Sequence, residues 1–501
     1  IVTNESARMK ALDLIIFFVY MAGITIFGGS FFKKNKTTSA FTLGNQSIPR
    51  WVLTMSIFAT FVSSISFLAL PGNSFQGNWN AFVFSLSIPV AAVIAVFFFV
   101  PLYRKVNSPS AYTFLEDRFG PWARVYVSIC YLLTQLMRVG TILYLLAITV
   151  NAIFGWNIAV VILITGIVVT FYSMLGGIQA VVWTDAIQGI VLIAGAVVSL
   201  LFILFGMPEG PRQLFEIAAE NHKFSLGSFG PGITSSTFWV VLIYGIFINL
   251  QNFGIDQNYV QRYMASKTDK DARRSALFGG LIYIPVSFVF LFIGTGLFAY
   301  YQSGAAELRP DLLDSSMGDR VFPFFIVNSL PVGVSGLLIA SVFAAGMSTV
   351  STSFNSSATV FLTDYYKRYF KKSTGEKDSM RVLYIASLVI SLLGVGIGIA
   401  MINVKSALDA WWKLASIFSG GMLGIFLLAA FTSFRKPGAI VAATIVGVIV
   451  IFYLSAGPLL FGNDIPGGKI HSYMTIVIGT VVIFLTGFVI SWLLSKKKSR
   501  N

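Results

Sequence analysis

Residues 58–67 read "FATFVSSISF" and lie inside a stretch long and apolar enough to cross a membrane. Ser63, Ser64 and Ser66 stand there beside Thr60 and Val62, and Pro71 and Gly72 follow where an apolar helix should continue. Helix-breaking backbone at membrane depth has to be buried in protein or line a wet cavity, because lipid cannot satisfy freed N–H and C=O groups. The stretch therefore predicts an interrupted span within a helical membrane protein.

Composition agrees with that class. The chain has 501 residues, 56% hydrophobic and only 11% charged, where an ordinary soluble domain carries roughly 25% charged residues. Lys and Arg number 35 against 20 Asp and Glu. In a soluble protein that excess would suggest nucleic acid. Here the basic residues sit between apolar spans, so the charge records topology; the expected surroundings are lipid, with no nucleic-acid partner. Cys130 is the single cysteine, which excludes an intrachain disulfide, and His222 and His471 fall in loops, so no zinc or haem set is expected. The first apolar run is long enough to span, unlike a cleaved signal peptide. The opening "IVTNESAR" precedes Met9 and carries no reading.

About thirteen stretches are long enough to span: 11–32, 51–70, 79–103, 124–153, 157–175, 180–206, 236–262, 275–302, 333–363, 381–403, 409–434, 437–457 and 472–495. Lys33, Lys34, Lys36, Arg104, Lys105, Lys367, Lys372, Arg435 and the tail Lys496, Lys497, Lys498 and Arg500 then fall on one side. That side is cytoplasmic, which puts the N-terminus outside and the C-terminus inside. A second span is also interrupted, because in "YGIFINLQNFGIDQNYVQRY" (244–263) Asn249, Gln251, Asn252, Asp256, Gln257 and Asn258 cannot all face lipid. Spans 2 to 6 and 7 to 11 thus form two sets of five, each opening with a disrupted helix, and an odd number inverts the second set. The fold expected is an all-α integral membrane protein with inverted five-helix repeats. Residues 1–50 form an extra helix and loop, 51–206 the first repeat, 207–434 the second with its outer loops, and 435–501 two further helices and a basic tail.

The ninth span holds "AAGMSTVSTSFNSSAT" (344–359), where Ser348, Ser351, Thr352, Asn355, Ser356 and Thr359 recur at helical spacing on one face. Such a face is either a hydrogen-bonded helix seam or a cage of neutral oxygens for a hard monovalent cation, with carbonyls of Ala59 and Val62 completing it. Arg138 lies about 20 Å from either end of span 4 at 1.5 Å per residue, too deep to snorkel. Its partner is either a protein carboxylate or a carboxylate on a solute, which the guanidinium fork matches bidentately. Asp185 either caps the start of span 6 or neutralises a second cation. Asp256, Asp409 and Lys413 are read as interfacial or locally bonded.

With those residues in view, the chain resembles the sodium/solute symporters, and within them the bacterial sialic acid carriers. The resemblance runs from "FTLGNQSIPRWVLTMSIFATFVSSISF" through "YSMLGGIQAVVWTDAIQG" and "NYVQRYMAS" to "SVFAAGMSTVSTSFNSSATVFLTDYY". It implies the leucine-transporter-like fold and sodium as coupling ion. The primary sodium would be held at Ala59, Val62, Ala345, Ser348 and Thr349, and a second at Asp185, Ser348, Ser351 and Thr352. It further implies that Arg138 takes the substrate carboxylate and that Ser63, Ser64 and Ser66 face the substrate. The sequence departs from the pattern in the following helix, where Ser85 replaces a glutamine and Ala81 an aromatic residue. Asn249 is a further substrate-facing candidate.

The expected function is sodium-coupled uptake of an anionic sugar acid, sialic acid, across the bacterial inner membrane by alternating access. Rivals are a symporter for another carboxylate or a neutral sugar, a passive channel, or a membrane sensor. An enzyme is not expected, since the serines have no intramembrane histidine beside them.

Overall fold

The computed structural model describes residues 11–498 apart from 107, 315–316, 372–374, 405–406, 433, 435 and 463–465. The opening tail, Lys372, Arg435 and Arg500 lie outside the described residues, as do the side chains of Asp409, Lys497 and Lys498. The principal helices are α1 (Ala11–Ser30), the pair α2 (Arg50–Phe61) and α3 (Leu70–Gln76), α4 (Trp79–Val106), α5 (Pro121–Phe154) and α6 (Ile158–Phe205). They continue as the pair α7 (Phe238–Ile255) and α8 (Gln257–Met264), then α9 (Asp269–Gln302), α10 (Val334–Val360), α11 (Glu376–Ala400), α12 (Ala407–Phe431), α13 (Pro437–Phe461) and α14 (Met474–Lys498). Among the described residues, 11 helices are long and apolar enough to cross a membrane, and up to 12 if the bent α2–α3 pair counts as one span. The stretch expected at 157–175 contributes a shorter apolar helix, Ile158–Phe171.

Both expected interruptions are present, and each has a local cause. α2 and α3, the latter entered through a π-helical turn at Ile65–Ala69, are bent by 57°. Val62 leaves the helix at φ −84°, ψ 126°. The Ser63 hydroxyl then accepts the Ile65 N–H at 3.2 Å and the Ser63 carbonyl accepts the Phe67 N–H at 3.0 Å. Ser63 thus caps the returning helix, which is why a short hydroxyl residue suits the position. Pro71 follows directly on the π-helical turn, where the hydrogen-bond ladder is already out of α register and a residue with no N–H to donate is accommodated. The second interruption is one residue wide. Asp256 takes φ −71°, ψ 122°, and its carboxylate accepts the Asn258 N–H at 2.8 Å, capping α8.

The remaining elements are drawn tightly around these breaks. A Cβ on Gly72 would stand 2.6 Å from the backbone of Gly318, and one on Gly294 would stand 2.0 Å from the Pro71 carbonyl oxygen. The second half of the broken helix, α3, therefore lies directly on its neighbours' backbone. α6 turns at Gly177, at φ 59°, ψ −162°, where a side chain would collide with Asn35. α10 is buried along nearly its whole length, and Gly346 lets it close on Leu146 of α5. Asp13, buried in α1, accepts the N–H groups of Gly333 and Gly336 at 2.7 and 2.9 Å and so caps the start of α10 from another helix.

Candidate functional site

The two interruptions meet at a small cavity of about 60 Å³. Ser63 and Ser66 line it from the first broken helix, Gln251, Asn252, Asp256 and Tyr259 from the second, and Arg138 from α5. Phe61, Phe84, Tyr244, Tyr283, Trp411 and Trp412 give it aromatic walls. The Ser66 hydroxyl is 3.3 Å from the Tyr283 hydroxyl.

Arg138 is the cation of this cavity, 8% exposed. Its guanidinium sits 5.1 Å from the Trp411 ring centroid and 3.8 Å, Nη1 to Oδ2, from Asp256. That separation is an ion pair but exceeds hydrogen-bond length, and Nη1 has no hydrogen-bond partner among the described residues. Asp256 is meanwhile engaged by the Asn258 N–H and, at 3.4 Å, by the Gln135 amide. Asp256 thus has a larger part than a local bond, since it breaks α7, caps α8 and faces Arg138.

Of the other substrate candidates, Ser64 is buried behind the break with a hydroxyl that has no partner among the described residues, and it does not line the cavity. Ser85 is buried away from it. Asn249 points the other way, its amide donating to Ser87 Oγ at 2.8 Å and to the Phe84 carbonyl at 3.4 Å. The amides that reach the cavity are instead Gln251 and Asn252.

The cation candidates divide into two groups. Thr349 Oγ1 donates to the Ala345 carbonyl at 3.2 Å and to the Val62 carbonyl at 3.4 Å, across the gap between α10 and the break. Ala59 is buried on the last turn of α2. Ser348 turns the other way and donates to Asp185 Oδ1 at 2.7 Å. Asp185 lies about two turns past Gly177, wholly buried inside α6, so its role as a helix cap is corrected: its carboxylate accepts from side chains on three other helices.

Two of those side chains, on Arg262 and Ser56, were not anticipated from the sequence. Arg262 of α8, itself 1% exposed, donates to Asp185 Oδ2 at 2.6 Å, to Ser56 Oγ and Thr352 Oγ1 at 2.7 Å each, and to the Asn258 carbonyl at 2.6 Å. Ser56 adds a 2.7 Å bond to the same carboxylate oxygen, and Thr352 lies 3.4 Å from it. Ser351 donates to the Ser348 carbonyl at 3.0 Å. Ser348 and Thr352 therefore meet the Asp185 carboxylate, with a guanidinium in their midst, while Ser351 bonds within its own helix. The rest of the α10 hydroxyl row forms a seam with α8 and α5: Gln261 donates to Asn355 and Thr359, and Tyr131 donates to Ser356. At this end of α10 the helix-seam reading applies.

Comparison with known proteins gives the same picture. The chain is 32% identical over 478 residues to the sodium/sialic acid symporter SiaT of Proteus mirabilis (strain HI4320), covering 94% of each chain. It is 29% identical over 479 residues to the sodium/sialic acid symporter NanT of Aliivibrio fischeri (strain ATCC 700601 / ES114), covering 95% of this chain and 93% of that one. A solved substrate-bound, outward-open Na+-coupled sialic acid symporter superposes with a TM-score of 0.88 at 28% identity, over 97% of this chain and 98% of that one. Residues 41–447 match the model of the sodium:solute symporter family. A helical membrane chain with two broken spans, matched over most of its length in both sequence and fold, belongs to the sodium:solute symporter family.

Proposed function

We propose that this protein is a sodium-coupled secondary transporter that carries an anionic sugar acid, sialic acid, inward by alternating access. The observation that carries the reading is Arg138, a guanidinium in an aromatic-walled cavity between two broken helices, with Nη1 free of hydrogen bonds among the described residues. A lone arginine at that depth is costly unless a negative partner meets it. Asp256, 3.8 Å away, neutralises it only loosely and is already committed to capping α8. A solute carboxylate can complete what Asp256 leaves unmet, through two parallel N–H···O bonds. Ser63, Ser66, Gln251 and Asn252 offer hydrogen bonds to the hydroxyls of the solute.

The primary sodium would sit among the carbonyls of Ala59, Val62 and Ala345 and the Thr349 hydroxyl, all neutral oxygens of the kind a hard cation prefers. The support for this is the convergence of three of these oxygens at 3.2–3.4 Å. A second sodium would draw on Asp185, Ser348, Ser351 and Thr352, in competition with Arg262 for one carboxylate. The protein is read as multi-pass in the bacterial inner membrane, with the N-terminus outside and the C-terminus cytoplasmic.

In the present conformation the cavity is far smaller than the ~300–1,000 Å³ of sites that engulf a small organic molecule. Solute entry therefore requires the walls to part, as alternating access demands. The test is uptake of labelled N-acetylneuraminic acid into proteoliposomes, with sodium replaced by potassium or choline. Uptake only in sodium is expected, and equal uptake in the three salts would remove the coupling. A different carboxylate as solute is the second reading; competition by unlabelled monocarboxylates against the labelled sugar acid separates the two.

A further inference from the structure

α5 and α11 are packed together at one level and part beyond it. Gly140 meets Ile397 and Gly394 meets Val139 so closely that a Cβ on either glycine would overlap the opposing side chain. Toward the end of α11 that carries Lys377 and Arg381 the two helices leave a cleft of about 440 Å³ between them. Leu132 and Leu136 form its α5 wall, and Phe361 and Tyr366 border it just past the end of α10. The opposite wall is a stripe of α11 from Val382 to Leu393, recurring at helical spacing. No charged side chain lines the cleft.

Its dimensions and its chemistry suit an acyl chain with a negative head. From Val382 to Leu393 the stripe extends about 17 Å at 1.5 Å per residue, close to the ~15 Å hydrocarbon depth of one leaflet. Ile385 and Val389 are 54% and 47% exposed, so the stripe is not covered by protein. Arg381 stands one turn from Ile385 on the same face of α11, and both it and Lys377 are exposed. Asp378 beside them is paired with Lys371 at 2.7 Å, and Glu376 accepts the Thr38 N–H and hydroxyl at 2.7 and 2.9 Å. Arg381 and Lys377 have no ion-pair partner among the described residues. Two uncompensated cations therefore stand at the mouth of an apolar cleft.

We propose that this cleft binds one anionic phospholipid, with an acyl chain between α5 and α11 and the phosphate on Arg381 and Lys377. The charge selects the occupant. A zwitterionic phospholipid offers the same chains, but its head carries a cation of its own toward the two basic side chains, whereas basic clusters at helix ends attract anionic heads. The chain fills the gap on the side where α5 and α11 do not touch. Leu136 on that wall lies two residues before Arg138, so the lipid backs the helix that carries the central guanidinium. The site does not depend on which solute the central cavity takes.

Thermal unfolding of the purified full chain in detergent tests it, with phosphatidylglycerol or phosphatidylcholine of the same acyl chains added. Phosphatidylglycerol is expected to raise the midpoint by about 2–4 °C and phosphatidylcholine to leave it unchanged; equal midpoints in the two lipids overturn the site. A chain with a net charge of +15 attracts anionic lipid over its whole surface, so two variants locate the effect. Val389→Trp fills the cleft from a half-exposed position, and Arg381→Glu reverses the charge at its mouth. Each variant is compared with and without lipid, which removes any change in its own stability. Both should lose the difference between the lipids, Arg381→Glu by weakening the apparent affinity for phosphatidylglycerol about tenfold or more. A phosphatidylglycerol shift that survives Val389→Trp is general charge attraction, and one that survives Arg381→Glu is not held by the head group; either result overturns the proposal. Native mass spectrometry supplies a second measurement. One phosphatidylglycerol retained by the wild type and none by Val389→Trp is expected, and equal retention by both overturns the cleft.

Discussion

At the scale of single residues, two buried arginines divide the work. Arg138 has an unfilled donor and faces a cavity, whereas Arg262 spends its donors on Asp185, Ser56, Thr352 and the Asn258 carbonyl. Replacing Arg138 with lysine keeps the charge but loses the planar fork. Uptake should fall by about tenfold or more in kcat/KM, and wild-type uptake by Arg138→Lys would contradict a bidentate carboxylate anchor. Arg262→Gln strands the Asp185 carboxylate in the interior, at a cost of about 3–5 kcal/mol. The double variant Asp185→Asn/Arg262→Gln should recover much of that loss. Thermal unfolding in detergent reads both, and an unchanged midpoint in the single variant would mean the pair contributes no net stability. Arg138 was legible because it stands alone in the middle of an apolar run. Arg262 was not, because it follows the second break at the edge of a polar stretch and reads there as the basic flank of a loop. Asn249 was misassigned for a related reason: on a helix each residue turns about 100°, so two positions along, at Gln251, the side chain faces the opposite wall.

At the scale of elements, the breaks are held by side-chain caps as well as by packing. Ser63→Ala removes the acceptor for the Ile65 N–H and should cost about 1 kcal/mol at the first break. Asp13→Ala should cost about 1–2 kcal/mol by freeing the Gly333 and Gly336 N–H groups at the start of α10, with Asp13→Asn retaining much of the stability. Equal melting temperatures for Asp13→Ala and wild type would show that water replaces the carboxylate. The first cap was readable as serine beside a helix-breaking run. The second was not, since its two halves lie more than three hundred residues apart and no local spacing signals them. The serine-rich face of α10 was legible as a face, but its partner helices were not, because a period of 3.6 gives a direction without naming what lies there.

At the scale of the whole molecule, charge movement separates the sodium counts. Two sodium ions with one monoanion carry one net positive charge inward, worth about 2.3 kcal/mol per 100 mV. Uptake should therefore rise when a potassium diffusion potential makes the vesicle interior negative, and uptake indifferent to potential would favour one sodium per anion. The two breaks were legible as polar and helix-breaking residues inside apolar runs, while the closed state of the cavity depends on side-chain contacts between distant segments and left no trace in the sequence. The bare backbone contacts at Gly72–Gly318 and Gly294–Pro71 bear on how the cavity can widen. With no side chains between them to slide or compress, those strands of backbone travel as one bolted lever. A tether engineered across that joint should leave cycling intact, whereas one between Phe84 and Trp412, whose rings stack at 5.3 Å on the wall of the central cavity, should jam it.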